Sequence, residues 1–159
     1  MTKVPWLNKE SLKRISLLLD SYNDSFGEPL VTFPTSMPSL IEKGIVVFNL
    51  EFPVIAHDAS EDPRIIYANK SALQLWGRDW NKMIGIASKL TTPIEERHHR
   101  KKILNDVTKN NPIKNYKGIR MNSKEEKFAI QNARIWNLEN KKEGTCGQAA
   151  TFDCWHHVE

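Results

Sequence analysis

Three long stretches rich in β-forming residues follow one another in the last third of the chain. They cover residues 114–121, 127–138 and 145–155. The short polar segments 122–124 and 140–144 between them have the composition of hairpin turns. Strands joined by such turns are neighbours in an antiparallel sheet, so the pattern predicts a three-stranded meander.

A second pair of strands is predicted upstream of the meander. Residues 54–56 and 64–67 are rich in apolar and β-branched side chains, and the turn-forming segment 58–63 between them favours an antiparallel pair. With the meander, these strands predict an α+β fold, in which an antiparallel five-stranded sheet carries helices on one face.

Helical patterns lie between the strand pair and the meander. Asn69 is placed to cap a helix that ends at Gly77. Another short helix is expected around residues 79–84. Pro93 then begins a longer helix over 93–109, and the Asn-Asn-Pro segment 110–112 terminates it.

The N-terminal segment has the apolar periodicity of a one-sided helix over residues 9–26. Asn8 is available as its N-cap and Gly27 as its stop. The proline-dotted stretch 29–38 then reads as a linker. We therefore divide the chain into an N-terminal helix with its linker, 1–38, and a main domain, 39–159.

The apolar stripe of this first helix is wider than one neighbouring surface requires, because Leu17 and Leu18 extend it. Two interpretations stay open. A second subunit could cover part of the stripe, which gives a homodimer through the N-terminal helix. Alternatively, the whole stripe docks on the chain's own core.

Composition narrows the classes of partner and location. The 159 residues suit one domain, and no apolar run approaches the roughly 18 residues of a membrane span. The N-terminus lacks the apolar core of a signal peptide, so a cytoplasmic location is expected. The net charge of +4 is spread along the chain, which does not favour a nucleic-acid partner. The basic run 97–102 is interpreted as a solvated helix face, and Cys146 and Cys154 as free thiols.

The order of motifs in the main domain resembles a known family. The motifs are YANKSALQLW at 67–76, Trp80, SKLT at 88–91, Arg97, YKGIR at 116–120, Phe128, WNL at 136–138 and GQAATF at 147–152. The element order is similar to that of a PAS domain, and the motifs resemble the MEKHLA domain, a PAS-like family with stand-alone bacterial and algal members. The resemblance covers about residues 39–155. It implies a PAS-like fold and a sensory or ligand-binding role.

Strand parity predicts which side chains share a face of the meander, because successive side chains alternate. Its even-numbered positions mix aromatic, small and hydrogen-bonding residues, the composition of a small-molecule pocket. We expect this face to look inward, towards the helices. The predicted ligand-binding residues are Tyr116, Arg120, Asn132, Trp136 and Gln148 from the sheet, with Asn69, Trp76 and Trp80 from the helical side.

Each of these candidates also has a purely structural interpretation. Asn69 has the position of a helix cap, and tryptophans usually belong to the core of a domain of this size. Gln148 and Asn132 could satisfy each other or the backbone. Arg120 and Arg134 could instead reach a surface carboxylate.

The remaining motifs do not predict an enzyme or a metal site. No nucleophile motif, phosphate loop or metal triad is present. Residues 154–157, with Cys146, hold zinc-type donors, but their spacing fits no closed four-ligand site, and we interpret this segment as a frayed end. His57 and Asp58 are adjacent in a strand, point to opposite faces and cannot readily act as an acid-base pair.

The sequence leaves the cofactor unknown. A light-oxygen-voltage flavin adduct needs a cysteine after the second strand, and none precedes Cys146, so the covalent chemistry is excluded and non-covalent flavin is not. Heme would need His98 or His99, for which a surface position is the commoner one. The predicted function is a small-molecule-binding or signal-sensing module that acts through protein association. The alternative is a ligand-free interaction or dimerisation domain with a filled core.

Overall fold

The centre of the molecule is an antiparallel sheet with the strand order β2-β1-β5-β4-β3. The computed structural model describes residues 4–107 and 111–159. The strands are β1 (Val54–Asp58), β2 (Ile65–Ala68), β3 (Ile113–Met121), β4 (Lys127–Asn140), β5 (Gly144–Thr151) and β6 (Cys154–Val158). The sheet confirms the predicted antiparallel α+β architecture.

A sixth strand arises because the predicted stretch 145–155 is interrupted. Thr151 of β5 pairs with Arg134, and Cys154 of β6 pairs with Gln131, so both strands run along the same side of β4. Phe152 lies in the interruption. The C-terminal segment is therefore a paired strand, and its interpretation as a frayed end was wrong.

Side-chain caps mark the starts of four of the five described α-helices. The α-helices in the described ranges are α1 (Lys9–Phe26), α2 (Leu40–Phe48), α3 (Lys70–Trp76), α4 (Trp80–Met83) and α5 (Arg97–Asn105). The Asn8 side chain accepts a hydrogen bond from the Ser11 amide at 2.8 Å, and Gly27 ends α1 in the left-handed region at φ 71°. The predicted helix over 9–26 is confirmed.

Helix α5 is shorter than its predicted range. A separate 3₁₀ turn occupies Ile94–Glu96, and α5 ends at Asn105. The chain then drops to the sheet, where the carbonyl of Val107 accepts a hydrogen bond from Asn137 Nδ2 at 3.0 Å. The end predicted at Lys109 lies outside the described residues.

Helices cover both faces of the sheet, and each face has its own core. On the α1 face, Ile15, Leu18 and Tyr22 pack with Trp136 and Leu138. On the opposite face, which we call the cavity face, the core includes Trp76, Met83, Phe128, Ile130 and Phe152. Part of the stripe of α1 thus packs on the chain's own sheet, which both interpretations include, and the homodimer stays a prediction.

A bulge in β4 changes which residues share a face. Asn132 has a left-handed backbone with φ 55°. On its two sides, Gly118 pairs with Ile130 and Tyr116 with Ala133, so β4 gains one residue over β3. Even-numbered residues face the cavity before Asn132, and odd-numbered residues face it afterwards.

Two further observations concern covalent and membrane chemistry. Cys146 and Cys154 are both free thiols. Within residues 4–107 and 111–159, no helix combines the length and the apolar character needed to cross a membrane.

Candidate ligand cavity

An interior cavity lies between the cavity face of the sheet, helices α3 and α5, and the 3₁₀ turn at Ser88–Thr91. Its water-accessible volume is about 40 Å³, which is room for about three waters at roughly 10–15 Å³ each. Most of the lining is apolar. The polar side chains in the lining are His57, Ser88, Thr91, Arg100, Tyr116, Arg120 and Gln148. The cavity is small, has mostly apolar walls, and is approached by hydrogen-bonding groups from several elements.

Four of the eight predicted ligand-binding residues line this cavity: Trp76, Tyr116, Arg120 and Gln148. Trp76 forms a wall, because its indole packs edge-on against Phe128 with ring centroids 5.2 Å apart. Its Nε1 donates to the carbonyl of Thr91 at 3.3 Å. The indole therefore has no hydrogen bond left to give to a ligand.

Arg120 is almost fully buried, at 7% exposure. Its Nη1 donates to the carbonyl of Ile119 at 3.0 Å, while the hydroxyl of Tyr116 lies at the long distances of 3.4 and 3.5 Å from Nη1 and Nη2. The guanidinium carbon is 5.4 Å from the centre of the Tyr116 ring, within the range of a cation–π contact. Much of the hydrogen-bonding capacity of Arg120 is only weakly used by the protein.

Arg100 reaches the same cavity from α5. It precedes Ile103 by three residues and Leu104 by four, so it shares their half-buried helix face. Its Nη2 donates to Ser88 Oγ at 2.6 Å. Burial and, secondly, the positive charge of Arg120 lower the pKa of Arg100 to about 10. The guanidinium therefore stays protonated at neutral pH.

Neither cavity arginine has an acidic partner in the described part of the chain. The basic residues of the ion pairs found there are Arg14, Arg64, Lys89, Lys127 and Arg134. By contrast, Arg134 donates to Glu28 Oε1 at 2.8 Å on the outer surface. Two positive charges with low water access thus face one small cavity, an arrangement that is unfavourable unless a negative group joins them.

Gln148 links the cavity to the end of α5. Its Nε2 donates to the carbonyl of Leu104 at 2.6 Å and to Asn137 Oδ1 at 2.9 Å. Asn137 in turn donates to the carbonyl of Val107. This chain of amides ties the C-terminal end of α5 to strands β4 and β5.

His57 lies on β1 beside Gln148, its cross-strand neighbour on β5. Its Nδ1 is 2.8 Å from the carbonyl of Asp58, a contact that requires a proton on Nδ1. Burial lowers the pKa of the imidazole, and the hydrogen bond to the Asp58 carbonyl only partly opposes this. The partner in this contact is the backbone carbonyl of Asp58 and not its carboxylate.

The cavity adjoins a surface cleft between α5 and the loop after β1. Four residues line both spaces: His57, Arg100, Leu104 and Gln148. The cleft also contains Lys89, Arg97 and Lys101 against Glu61 and Asp62. These four residues lie where the cavity meets the cleft, on a side that is rich in positive charge.

Two predicted residues, Asn69 and Asn132, lie away from the cavity. The Asn69 side chain is fully used inside the protein: its Oδ1 accepts from the Val54 and Ala72 amides, and its Nδ2 donates to the carbonyls of Val47 and Phe52. It is the cap of α3, as the structural interpretation had it. Asn132 is exposed at the bulge, which corrects the expectation that it points inward.

The other two, Trp80 and Trp136, belong to the core of the α1 face. Trp136 packs edge-on against Tyr22 at 4.9 Å and donates from Nε1 to the carbonyl of Leu18. Trp80 packs edge-on against Tyr67 at 5.8 Å. Parity misplaced Trp136 because the bulge at Asn132 reverses the alternation.

Sequence reasoning missed Arg100, Ser88 and His57. The signal for Arg100 was its spacing from Ile103 and Leu104, which conflicts with a uniformly solvated basic run. Only His98, His99, Lys101 and Lys102 of that run are exposed. Neither exposed histidine lines the cavity, and no group of three His, Cys, Asp or Glu side chains could hold a metal ion within the ranges that the structure describes.

Comparisons with known proteins agree with the fold. A PAS domain from Colwellia psychrerythraea is similar over 76% of this chain and 98% of its own, with 11% identity and a TM-score of 0.62. A fungal light-oxygen-voltage domain photoreceptor matches 89% of this chain and 91% of its own, with 10% identity and a TM-score of 0.57. The light-oxygen-voltage domain of a blue-light activated histidine kinase from Erythrobacter litoralis EL346 matches 69% and 98%, with 15% identity and a TM-score of 0.52. At identities this low, the structural similarity shows a shared fold and nothing beyond it.

The family follows from a separate comparison of sequences. No curated protein matches the chain. The model of the MEKHLA domain, however, matches residues 12–157, which is nearly the whole chain and includes most of α1. The chain belongs to the MEKHLA domain family, and its fold is that of the PAS and light-oxygen-voltage domains.

Proposed function

We propose that this PAS-like sensory domain binds a small molecule in the cavity between its sheet and helix α5. The observation that carries the proposal is the lining itself. Apolar walls surround Arg100 from α5, Ser88 from the 3₁₀ turn, and Tyr116 and Arg120 from β3, so polar groups from three elements meet there. Such a combination provides binding energy from the walls and orientation from a few polar groups. The domain acts as a sensor, which agrees with the family and the fold found in the comparisons.

The size of the cavity argues against a large cofactor. Room for about three waters is far less than a tricyclic flavin or a heme occupies, and Trp76, Phe128 and Phe152 leave little freedom to widen it. His98 and His99, the residues considered for heme, are exposed. We therefore propose a colourless ligand, and the absorbance spectrum of the purified protein checks this directly.

The signal would leave through protein association, as a shift between two packings of the sheet and its helices. A ligand that engages Arg100 would shift α5. Gln148 would pass this shift to β5, because its Nε2 already donates to the carbonyl of Leu104 in α5. Strand β4 carries α1 on its other face. Partner contacts of the N-terminal helix would then depend on occupancy of the cavity.

A ligand-free interaction domain is the second candidate. It is favoured by one observation: Met37, Ile41 and Ile45 are exposed large apolar side chains in and before α2, at 90%, 55% and 46%. Ile41 and Ile45 are one helical turn apart and share a face. A domain of this kind would bind its partner through an exposed apolar helix face such as this one, and its core would hold no ligand.

Native mass spectrometry of protein purified from its own host distinguishes the two candidates. We expect a bound small molecule in the wild type and its loss in Ala133→Leu, because Ala133 is fully buried in the cavity lining. Ala129→Leu adds the same volume to β4 on the opposite face and should retain the ligand. If the wild type carries no adduct, or Ala133→Leu retains it, the cavity is not the binding site.

A further inference from the structure

The strongest unexplained feature of the molecule is the pair of guanidinium groups at the cavity. Arg120 from β3 and Arg100 from α5 both line it, and they are close enough for the charge of one to lower the pKa of the other. No carboxylate pairs with either of them among the described residues. A buried positive charge such as that of Arg120 is costly without a partner, and a second, half-buried one at the same cavity adds to the cost.

The way these arginines are held also leaves donors free for a ligand. Arg100 donates to Ser88 Oγ, and Arg120 to the carbonyl of Ile119. A guanidinium has five N–H groups in a flat fork, which matches the two oxygens of a carboxylate. The Tyr116 hydroxyl, so far only 3.4 to 3.5 Å from Arg120, is a further donor on the same side.

We infer that the ligand of this cavity is a short-chain carboxylate, whose two oxygens lie between Arg100 and Arg120 and whose carbon chain packs against the apolar wall. The inference rests on the proposed function and names its ligand class. The size of the cavity limits the chain to about two or three carbons, since only about three waters fit. The apolar wall, which includes Trp76, Ile130 and Phe152, favours a carboxylate with a tail over inorganic phosphate. The basic cleft outside the cavity draws anions towards it.

Isothermal titration of the full chain with sodium propionate tests this inference. Ionic strength is held constant with sodium gluconate, a six-carbon sugar acid that exceeds the cavity. We expect propionate to bind to the wild type, and propionamide, the neutral molecule of the same shape, to bind at least about tenfold more weakly, because it lacks the charge-assisted bonds.

Variants locate the binding. Arg100→Gln and Arg120→Gln should each weaken propionate binding by about tenfold or more. Lys102→Gln removes the same charge from an exposed position of α5 and should bind propionate like the wild type. Circular dichroism and thermal unfolding establish that each variant is folded.

The other outcomes overturn either the ligand class or the binding of any ligand in the cavity. Equal binding of propionamide, or unchanged propionate binding in both arginine variants, overturns the carboxylate while leaving a cavity ligand in place, provided that Ala133→Leu abolishes the binding. Binding of inorganic phosphate in preference to propionate also overturns it. If no probe binds and the protein from its host carries no small molecule, the proposed function fails as well.

Discussion

Arg120 and Arg134 lie on neighbouring strands, yet their surroundings are opposite. Arg134 reaches out to Glu28 and Tyr22, whereas Arg120 is buried beside a second arginine. The sequence left both choices open for each, because a side chain of this length can bend either way. Strand parity did identify Arg120 and Tyr116 as neighbours. Arg100 stayed hidden because the basic residues around it, exposed on α5, dominate the local pattern.

The imidazole of His57 predicts a pH-dependent stability. Burial lowers its pKa below the usual 6.5, so the unfolded chain takes up a proton at a higher pH than the native protein does. The contribution of the neutral imidazole to the free energy of unfolding is complete above about pH 6.5. It is lost as the pH falls towards the pKa of His57 in the native protein. The free energy of unfolding should therefore fall between pH 7.5 and pH 5, and fall less in His57→Gln. Urea unfolding at several pH values measures this.

The control for His57 is His98→Gln, at an exposed histidine on α5. It should reproduce the pH profile of the wild type. Two charged neighbours act on His57: Arg100 lowers its pKa and Asp58 raises it. A His57→Gln profile that is superimposable on the wild type would show that this imidazole does not carry the effect.

At the level of elements, β4 explains where pattern reasoning succeeds and where it stops. Alternation correctly groups Phe128 and Ile130 on the cavity face. The extra residue at Asn132 then moves Trp136 to the α1 face. Asparagine tolerates the left-handed backbone better than most residues, but it is also common in turns and on surfaces. Nothing in a single sequence distinguishes these uses, so the sequence could not predict the bulge at Asn132.

Substitution at Asn132 tests the importance of that bulge. Asn132→Val should lower the free energy of unfolding by about 1–2 kcal/mol, because a β-branched residue is strained at positive φ. Asn132→Gly, which accepts the same backbone, should stay within about 0.5 kcal/mol of the wild type. Urea denaturation compares the pair. Equal stability of the two variants would mean that the left-handed conformation is not maintained in solution.

For the whole molecule, the N-terminal helix is part of the packed structure. It covers one face of the sheet through Ile15, Leu18 and Tyr22, and the family match begins within it. The predicted boundary between 1–38 and 39–159 therefore divides the sequence, but α1 and the sheet share one hydrophobic core across it. Its periodicity predicted the bounds of α1, whereas the sheet residues on which α1 packs could not be predicted, because they depend on the order of the strands.

A homodimer through α1 remains our proposal for the output of the domain. Leu19 is half-buried at the edge of the α1 core, and Leu19→Glu should give monomers at concentrations where the wild type dimerises, as measured by sedimentation velocity. Ile41→Glu places the same charge on an exposed apolar position of α2 and should sediment like the wild type. A wild type that is monomeric throughout, or a folded Leu19→Glu that still dimerises, would rule out this route.

The two faces of the sheet meet most directly at residues 135 and 136. Ile135 lines the cavity, and the next residue, Trp136, holds α1. Consecutive Cα atoms are about 3.8 Å apart, so the interior that would receive a ligand and the surface that would receive a partner are separated by a single peptide unit. Under the proposed function, a signal between them would pass along one strand without a hinge or a moving loop. A substitution that loosens β4 should then uncouple ligand binding from partner binding without touching either site.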